Sequence, residues 1–348
     1  MARCWGPRLA GSAEVLSEFC EIPRPRRGPR PGVTGNPHDG QVERHQVTIY
    51  LSAIAVGVTL GLLVPGAGLE PAINPLLGAL LYVTFLQVPM RDLVRSWRDT
   101  RFLAAALVVN FVVVPLVVAA MFAFLPSDQA ARVGFLLVLL APCVDYVIVF
   151  SGLAGGSSDR LLAATPLLLI AQMVLLPLYL LAFLGSDLAD VVEAGPFLEA
   201  FLVLIVIPLA LAWATQTWGR RFAPALGTTM VPLMAASLLV VVASQTPRLT
   251  ADVFGVIPFY VLFLLVMAFA GLGVARLFRL DGPASRAIVF TGATRNSLVV
   301  LPLALALPEA LSLAAAVVVT QTLVEVIGMV VYVRAVPRLL PAAPSSAA

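Results

Sequence analysis

The chain contains no lysine; all 22 of its Lys-plus-Arg positions are arginine, and charged residues make up only 12% of 348 positions. A soluble surface needs far more charge than that, and a nucleic-acid face needs a dense basic patch that these scattered arginines do not make. The net charge of +3 therefore reflects where arginines are placed along the chain. Cysteine is also scarce. Cys4, Cys20 and Cys143 share no paired spacing, which excludes a disulfide framework and a zinc pattern. The two histidines, His38 and His45, lie together near the N-terminus and read as solvated rather than ligating. There is no HExxH, no nucleophile elbow and no nucleotide-binding glycine loop, so no enzyme class is indicated and no cofactor is expected.

What is present is apolar. Hydrophobic residues account for 60% of the chain and mean hydropathy is +0.98. No soluble core needs that much, and the composition is that of an all-α polytopic membrane protein. Residues 1–46 stand apart, with PRPRRGPRPG and NPHDG but no run fit for a signal peptide, and read as a disordered Arg/Pro-rich cytoplasmic tail. A start codon assigned too far upstream would give the same tail. Residues 47–336 form the transporter-like membrane domain, and 337–348 a short cytoplasmic tail.

Apolar runs near 47–65, 72–90, 102–125, 131–154, 161–184, 197–218, 225–243, 253–275, 287–306 and 311–335 give ten spans. Alternate loops collect the arginines: Arg91, Arg95, Arg98 and Arg101, then Arg160, then Arg220 and Arg221, then Arg276, Arg279 and Arg286. The intervening loops hold only Arg132 and Arg248, and one is acidic through Asp187, Asp190 and Glu193. The positive-inside rule then puts both termini in the cytoplasm, and the expected location is the plasma membrane. Ten spans divide into two sets of five, and an odd number per set forces opposite orientations, the inverted-repeat plan of many secondary transporters.

Leu139–Arg160, LLAPCVDYVIVFSGLAGGSSDR, is the stretch around which the rest is organised. Pro142 removes a backbone donor and breaks the helix, and the freed carbonyl must face protein or a cavity rather than lipid. Asp145 is an ionisable residue in a spanning run, costly unless paired or functional. Cys143 lies between them. It reads either as a small buried apolar residue or, beside Pro142 and Asp145, as a ligand.

Inverted repeats require span 9 to be interrupted as span 4 is. AIVFTGATRNSLVVLPLALALP meets the demand: Gly292, Thr294, Arg295, Asn296 and Ser297 interrupt an apolar run, with Thr291 beside them. If the breaks cross, Arg295 and Asp145 meet near the midplane and offset each other's cost as a core or ion-coupling charge pair. The rival reading starts span 9 later and lets Arg295 snorkel to the cytoplasmic edge. Span 10 carries Thr320, Gln321, Thr322 and Glu325 in mid-membrane, and that acid needs a partner, a proton or an interior face. Asn110 and Pro115 in span 3, and Gln172 and Pro177 in span 5, read first as interhelical glue.

APC at Ala141–Cys143, GATRN at Gly292–Asn296 and LVEV at Leu323–Val326 together resemble the arsenite efflux permeases of the bile acid/sodium symporter superfamily. The resemblance runs over 47–336. It implies ten helices in a panel and a core domain, with broken helices 4 and 9 crossing in the core. It also implies export of trivalent arsenic, arsenite first and antimonite second, by proton antiport. By the same resemblance Cys143 matches the essential cysteine, which would hold arsenite, and Glu325 the essential acid. Two departures stand out: Val-Asp-Tyr follows APC, and Arg295 stands where asparagine is usual. Sodium-coupled relatives carry an acid near the position of Thr291, which favours protons over sodium here. The alternative is a sodium- or proton-coupled carrier of an organic anion, with Arg295 as the carboxylate partner and Cys143 as packing.

Overall fold

The computed structural model describes residues 39–64, 68–87, 99–144, 146–185, 199, 202–218, 226–248 and 251–340. The chain divides between Val42 and Glu43, and the second unit, Glu43–Ala348, holds the membrane helices. Most of the N-terminal tail, the segment 341–348 and the loops holding Arg91, Asp187 and Arg220 lie outside the described residues, and so does Asp145.

Every regular element among the described residues is helical. In order they are α1 (Asp39–Leu63), α2 (Glu70–Gln87), α3 (Thr100–Val108), a π-helical turn (Val109–Val113), α4 (Val114–Phe122), α5 (Gln129–Leu139), α6 (Tyr146–Leu153) and α7 (Ser158–Leu184). A second π-helical turn (Leu202–Val206) leads into α8 (Ile207–Trp218). Then come α9 (Met230–Gln245), α10 (Ala251–Phe254), α11 (Ile257–Leu277), α12 (Gly282–Ala293), α13 (Ser297–Leu305) and α14 (Leu313–Leu339). Thr100–Phe122, Leu167–Leu184, Ile257–Leu277 and Glu309–Leu339 are each long and apolar enough to cross a membrane, and four shorter apolar helices accompany them. The chain is a helical multi-pass membrane protein.

Burial departs from that of a soluble protein in two ways, with apolar helix faces exposed and polar side chains placed inside an apolar core. Ile170, Val174, Leu178 and Leu181 recur at helical spacing on one exposed face of α7, and Leu265 and Phe269 are exposed on α11. Asn110, Arg295, Gln321 and Glu325 are buried. A lipid-facing exterior around an apolar core that shelters a few polar groups produces this pattern, because hydrocarbon cannot satisfy a polar group whereas neighbouring helices can.

Two packing groups position the centre. α2 packs against α8 and α9; α11 lies along α12, and α14 packs on α5, α13 and α11. The α5–α14 contact is close because Gly134 has no side chain: a Cβ there would lie 2.7 Å from the Ala314 carbonyl oxygen. Proline accounts for the irregular turn inside the third apolar run. Pro115 has no N–H to give to Phe111, the π-helical turn sits there, and the Tyr179 hydroxyl donates to the freed Phe111 carbonyl at 2.6 Å.

Candidate functional site

α5 ends at Leu139, three residues before Pro142, and α6 does not begin until Tyr146. α12 ends at Ala293 because Thr294 is extended (ψ 139°), and α13 begins after Asn296, whose side-chain oxygen accepts the Val299 N–H at 3.1 Å. These two non-helical segments lie against each other as a single antiparallel bridge between Pro142 and Arg295. The Cys143 N–H donates to the Thr294 carbonyl at 3.2 Å, and the Asn296 N–H donates to the Ala141 carbonyl at 2.8 Å. Each break therefore supplies partners that the other lacks, the condition for irregular backbone inside a bilayer.

Arg295 is fully buried, so the reading in which it snorkels to a surface falls away. Its Nη2 donates to Asn110 Oδ1 (2.8 Å), the Thr291 carbonyl (2.7 Å) and the Gly292 carbonyl (2.8 Å), and its Nη1 to the Leu139 carbonyl (3.3 Å). The guanidinium also lies 5.7 Å from the centre of the Phe263 ring. Asn110 is held for this by donating to the Ala106 carbonyl (3.0 Å) and to Thr291 Oγ1 (3.2 Å). The expected partner, Asp145, lies outside the described residues. Among those described, the ion pairs are Arg160 with Asp99 and with Asp281, exposed at one end of α3, α7 and α12.

Glu325 comes in from α14. Its Oε2 accepts the Arg295 backbone N–H at 2.8 Å and an N–H of Gln321; its Oε1 accepts the Tyr146 hydroxyl at 2.5 Å. The same hydroxyl lies 3.2 Å from the Arg295 carbonyl oxygen. Thr322 donates to Ser297 Oγ at 2.6 Å, a second tie between α14 and the α12–α13 break. Thr320 turns back onto its own helix through the Ala316 carbonyl. Cys143 takes part in no disulfide and is 1% exposed.

Pro142, Cys143, Thr291, Gly292, Thr294, Arg295, Asn296, Ser297 and Glu325 thus converge where the two breaks meet. Tyr146 and Asn110 join them with larger parts than their types suggested: a tyrosine after a break looks like packing, and an asparagine in an apolar helix looks like glue. The signal for Tyr146 was its place one residue after Asp145 in the departing Val-Asp-Tyr. Gln172 stays apart, its side-chain oxygen buried without a partner among the described residues.

Residues 74–252 match the profile of the family described as the Sodium Bile acid symporter family, slightly more than half of the chain. The chain belongs to that family. The matched segment contains the Pro142–Cys143 break, whereas Arg295 and Glu325 lie beyond it. No curated protein matches the chain in sequence. Membership in a symporter family fits a carrier whose work is done inside the membrane, on a small solute and a coupling ion.

Proposed function

We propose that this sodium bile acid symporter family protein is a secondary active transporter that exports trivalent arsenic across the plasma membrane, driven by inward protons. The observation that carries the reading is a buried cysteine outside any disulfide, Cys143, in a broken helix whose backbone is tied to a second break beside an acid, Glu325. Trivalent arsenic is soft and a thiolate is its natural ligand; one thiol holds it weakly enough to release it, where three would trap it. Ten spans in two inverted sets of five, with both termini cytoplasmic, belong to the same reading. The crossing of the breaks and the packing of α2 with α8 and α9 support it.

Glu325 is the proposed proton carrier, and Tyr146 relays its state. The phenol has one hydrogen and two acceptors within reach. With Glu325 ionised, that hydrogen goes to Oε1. With Glu325 protonated, the acid donates to the Tyr146 oxygen, and the phenol turns its hydrogen to the Arg295 carbonyl. Protonation in α14 would thereby be felt as a change of bonding at the break that adjoins Cys143. Asp145 is kept in the proposal as the acid that balances Arg295. If the two pair, Arg295→Ala alone should harm activity more than the double neutral change, and additive losses would remove the pairing.

An organic-anion carrier with Arg295 as the carboxylate partner has less support, because four protein oxygens already occupy that guanidinium. The deciding experiment is arsenite accumulation in cells stripped of their own arsenite pumps. The native chain should lower cellular arsenic, and Cys143→Ser at equal expression should not. No lowering by the inserted native chain would sink the arsenite reading.

A further inference from the structure

Three of the four oxygens around the Arg295 guanidinium are main-chain carbonyls at the C-terminal ends of two half-helices: Leu139 ends α5, and Thr291 and Gly292 lie in the last turn of α12. Such ends carry unsatisfied carbonyls and the negative pole of the helix dipole, each equivalent to about half an elementary charge. The fourth oxygen is Asn110 Oδ1, aimed by its own two hydrogen bonds. Broken-helix carbonyls converging with a side-chain amide form the oxygen cage with which transporters bind a coupling cation in the membrane. Hard oxygen donors suit a hard cation.

We propose that this cage is a monovalent-cation site held permanently by the side chain of Arg295. Native transport then needs no sodium, and removing the guanidinium opens a site for a small alkali cation. The fit is imperfect for arginine in one respect that supports the idea: Nε, fully buried, finds no acceptor among the described residues. A residue chosen only to cap α12 would not also reach the carbonyl of α5, which is 156 positions away in sequence. The inference rests on the transporter reading of the crossing, and is independent of arsenite.

The test uses the full-length protein purified in detergent, with melting followed in sodium, potassium and choline chloride at equal ionic strength. The native chain and Arg295→Lys should melt at the same temperature in all three salts. Arg295→Gln and Arg295→Ala should melt higher in sodium or potassium than in choline, by about 2 °C when the cation is at tenfold its Kd. Variants too unstable to purify in choline should become recoverable in an alkali salt. Sodium-specific stabilisation of the native chain would overturn the proposal. So would neutral variants that melt alike, or fail to fold alike, in every salt. Cys143→Ser should follow the native pattern, so loss of the arsenite reading would leave this result standing, and failure here would leave arsenite efflux untouched.

Discussion

A single hydroxyl decides how the centre is wired. Tyr146→Phe keeps the ring against Phe150 and removes only the donor that serves Glu325 Oε1 and the Arg295 carbonyl. A hydrogen bond to a charged group contributes about 1.5–3 kcal/mol, which converts to a roughly ten- to hundredfold slower efflux if the bond changes during turnover. Tyr146→Phe should therefore fold and insert normally yet export slowly, measured as the initial rate from preloaded vesicles. A native rate would remove Tyr146 from the mechanism. Asn110→Leu asks the opposite question. It takes one acceptor from a buried guanidinium and a donor from Thr291, so the expected effect is on stability, a loss of about 1–3 kcal/mol read by denaturation in detergent. Chemistry at this scale was partly legible. Pro142, Arg295 and Glu325 are conspicuous in sequence because each is costly in an apolar run, and Cys143 because it stands beside one of them. Tyr146 and Asn110 are not, because either type is common inside helices and only the crossing reveals what they bind.

Helices explain where the sequence reading held and where it slipped. Interruptions at Pro142 and at Thr294–Asn296 were readable because proline and a polar cluster cannot continue an apolar helix. Element ends were less so: α12 begins at Gly282, five residues before the expected span, since Asp281 and Pro283 form a helix start that hydropathy does not register. The exit from α11 shows a local conflict. Arg279 has φ 51°, a left-handed conformation that closes the helix end through the Leu280 N–H to Ala275 carbonyl bond at 3.0 Å. Glycine takes that conformation without penalty, so Arg279→Gly should raise stability by about 1 kcal/mol, seen as a higher melting temperature. The reverse experiment belongs to the α5–α14 contact. Gly134→Ala drives a Cβ to 2.7 Å from the Ala314 carbonyl oxygen, and overpacking there should cost about 1–3 kcal/mol. Unchanged melting would mean that α5 and α14 separate more easily than their packing implies.

At the scale of the whole molecule, arginine placement and the crossing make one joint claim. If span 4 and span 9 are related by the inverted repeat and meet at their breaks, the segments that enter them lie on opposite faces of the membrane, which requires an even number of spans between them. Ten spans with cytoplasmic termini satisfy this: the loop before α5 and the loop before α14 are then external, while the end of α11 is cytoplasmic. Ser127, Arg276 and Ser312 are exposed positions in or beside those loops. Cys143 is buried, and with Cys4 and Cys20 replaced by serine no native thiol adds background label. Single cysteines at the three positions should therefore sort cleanly with a membrane-impermeant maleimide. Ser127→Cys and Ser312→Cys should label in intact cells, and Arg276→Cys only after permeabilisation. The positive-inside rule bears on Arg276 directly, since Arg279 and Arg286 follow it in the same loop. Labelling of Arg276→Cys from outside would reverse the orientation and, with it, the direction of the proposed transport. Mixed labelling of Ser127→Cys and Ser312→Cys would break the repeat, because α5 and α14 pack together and enter the centre from one side only if both loops share a face.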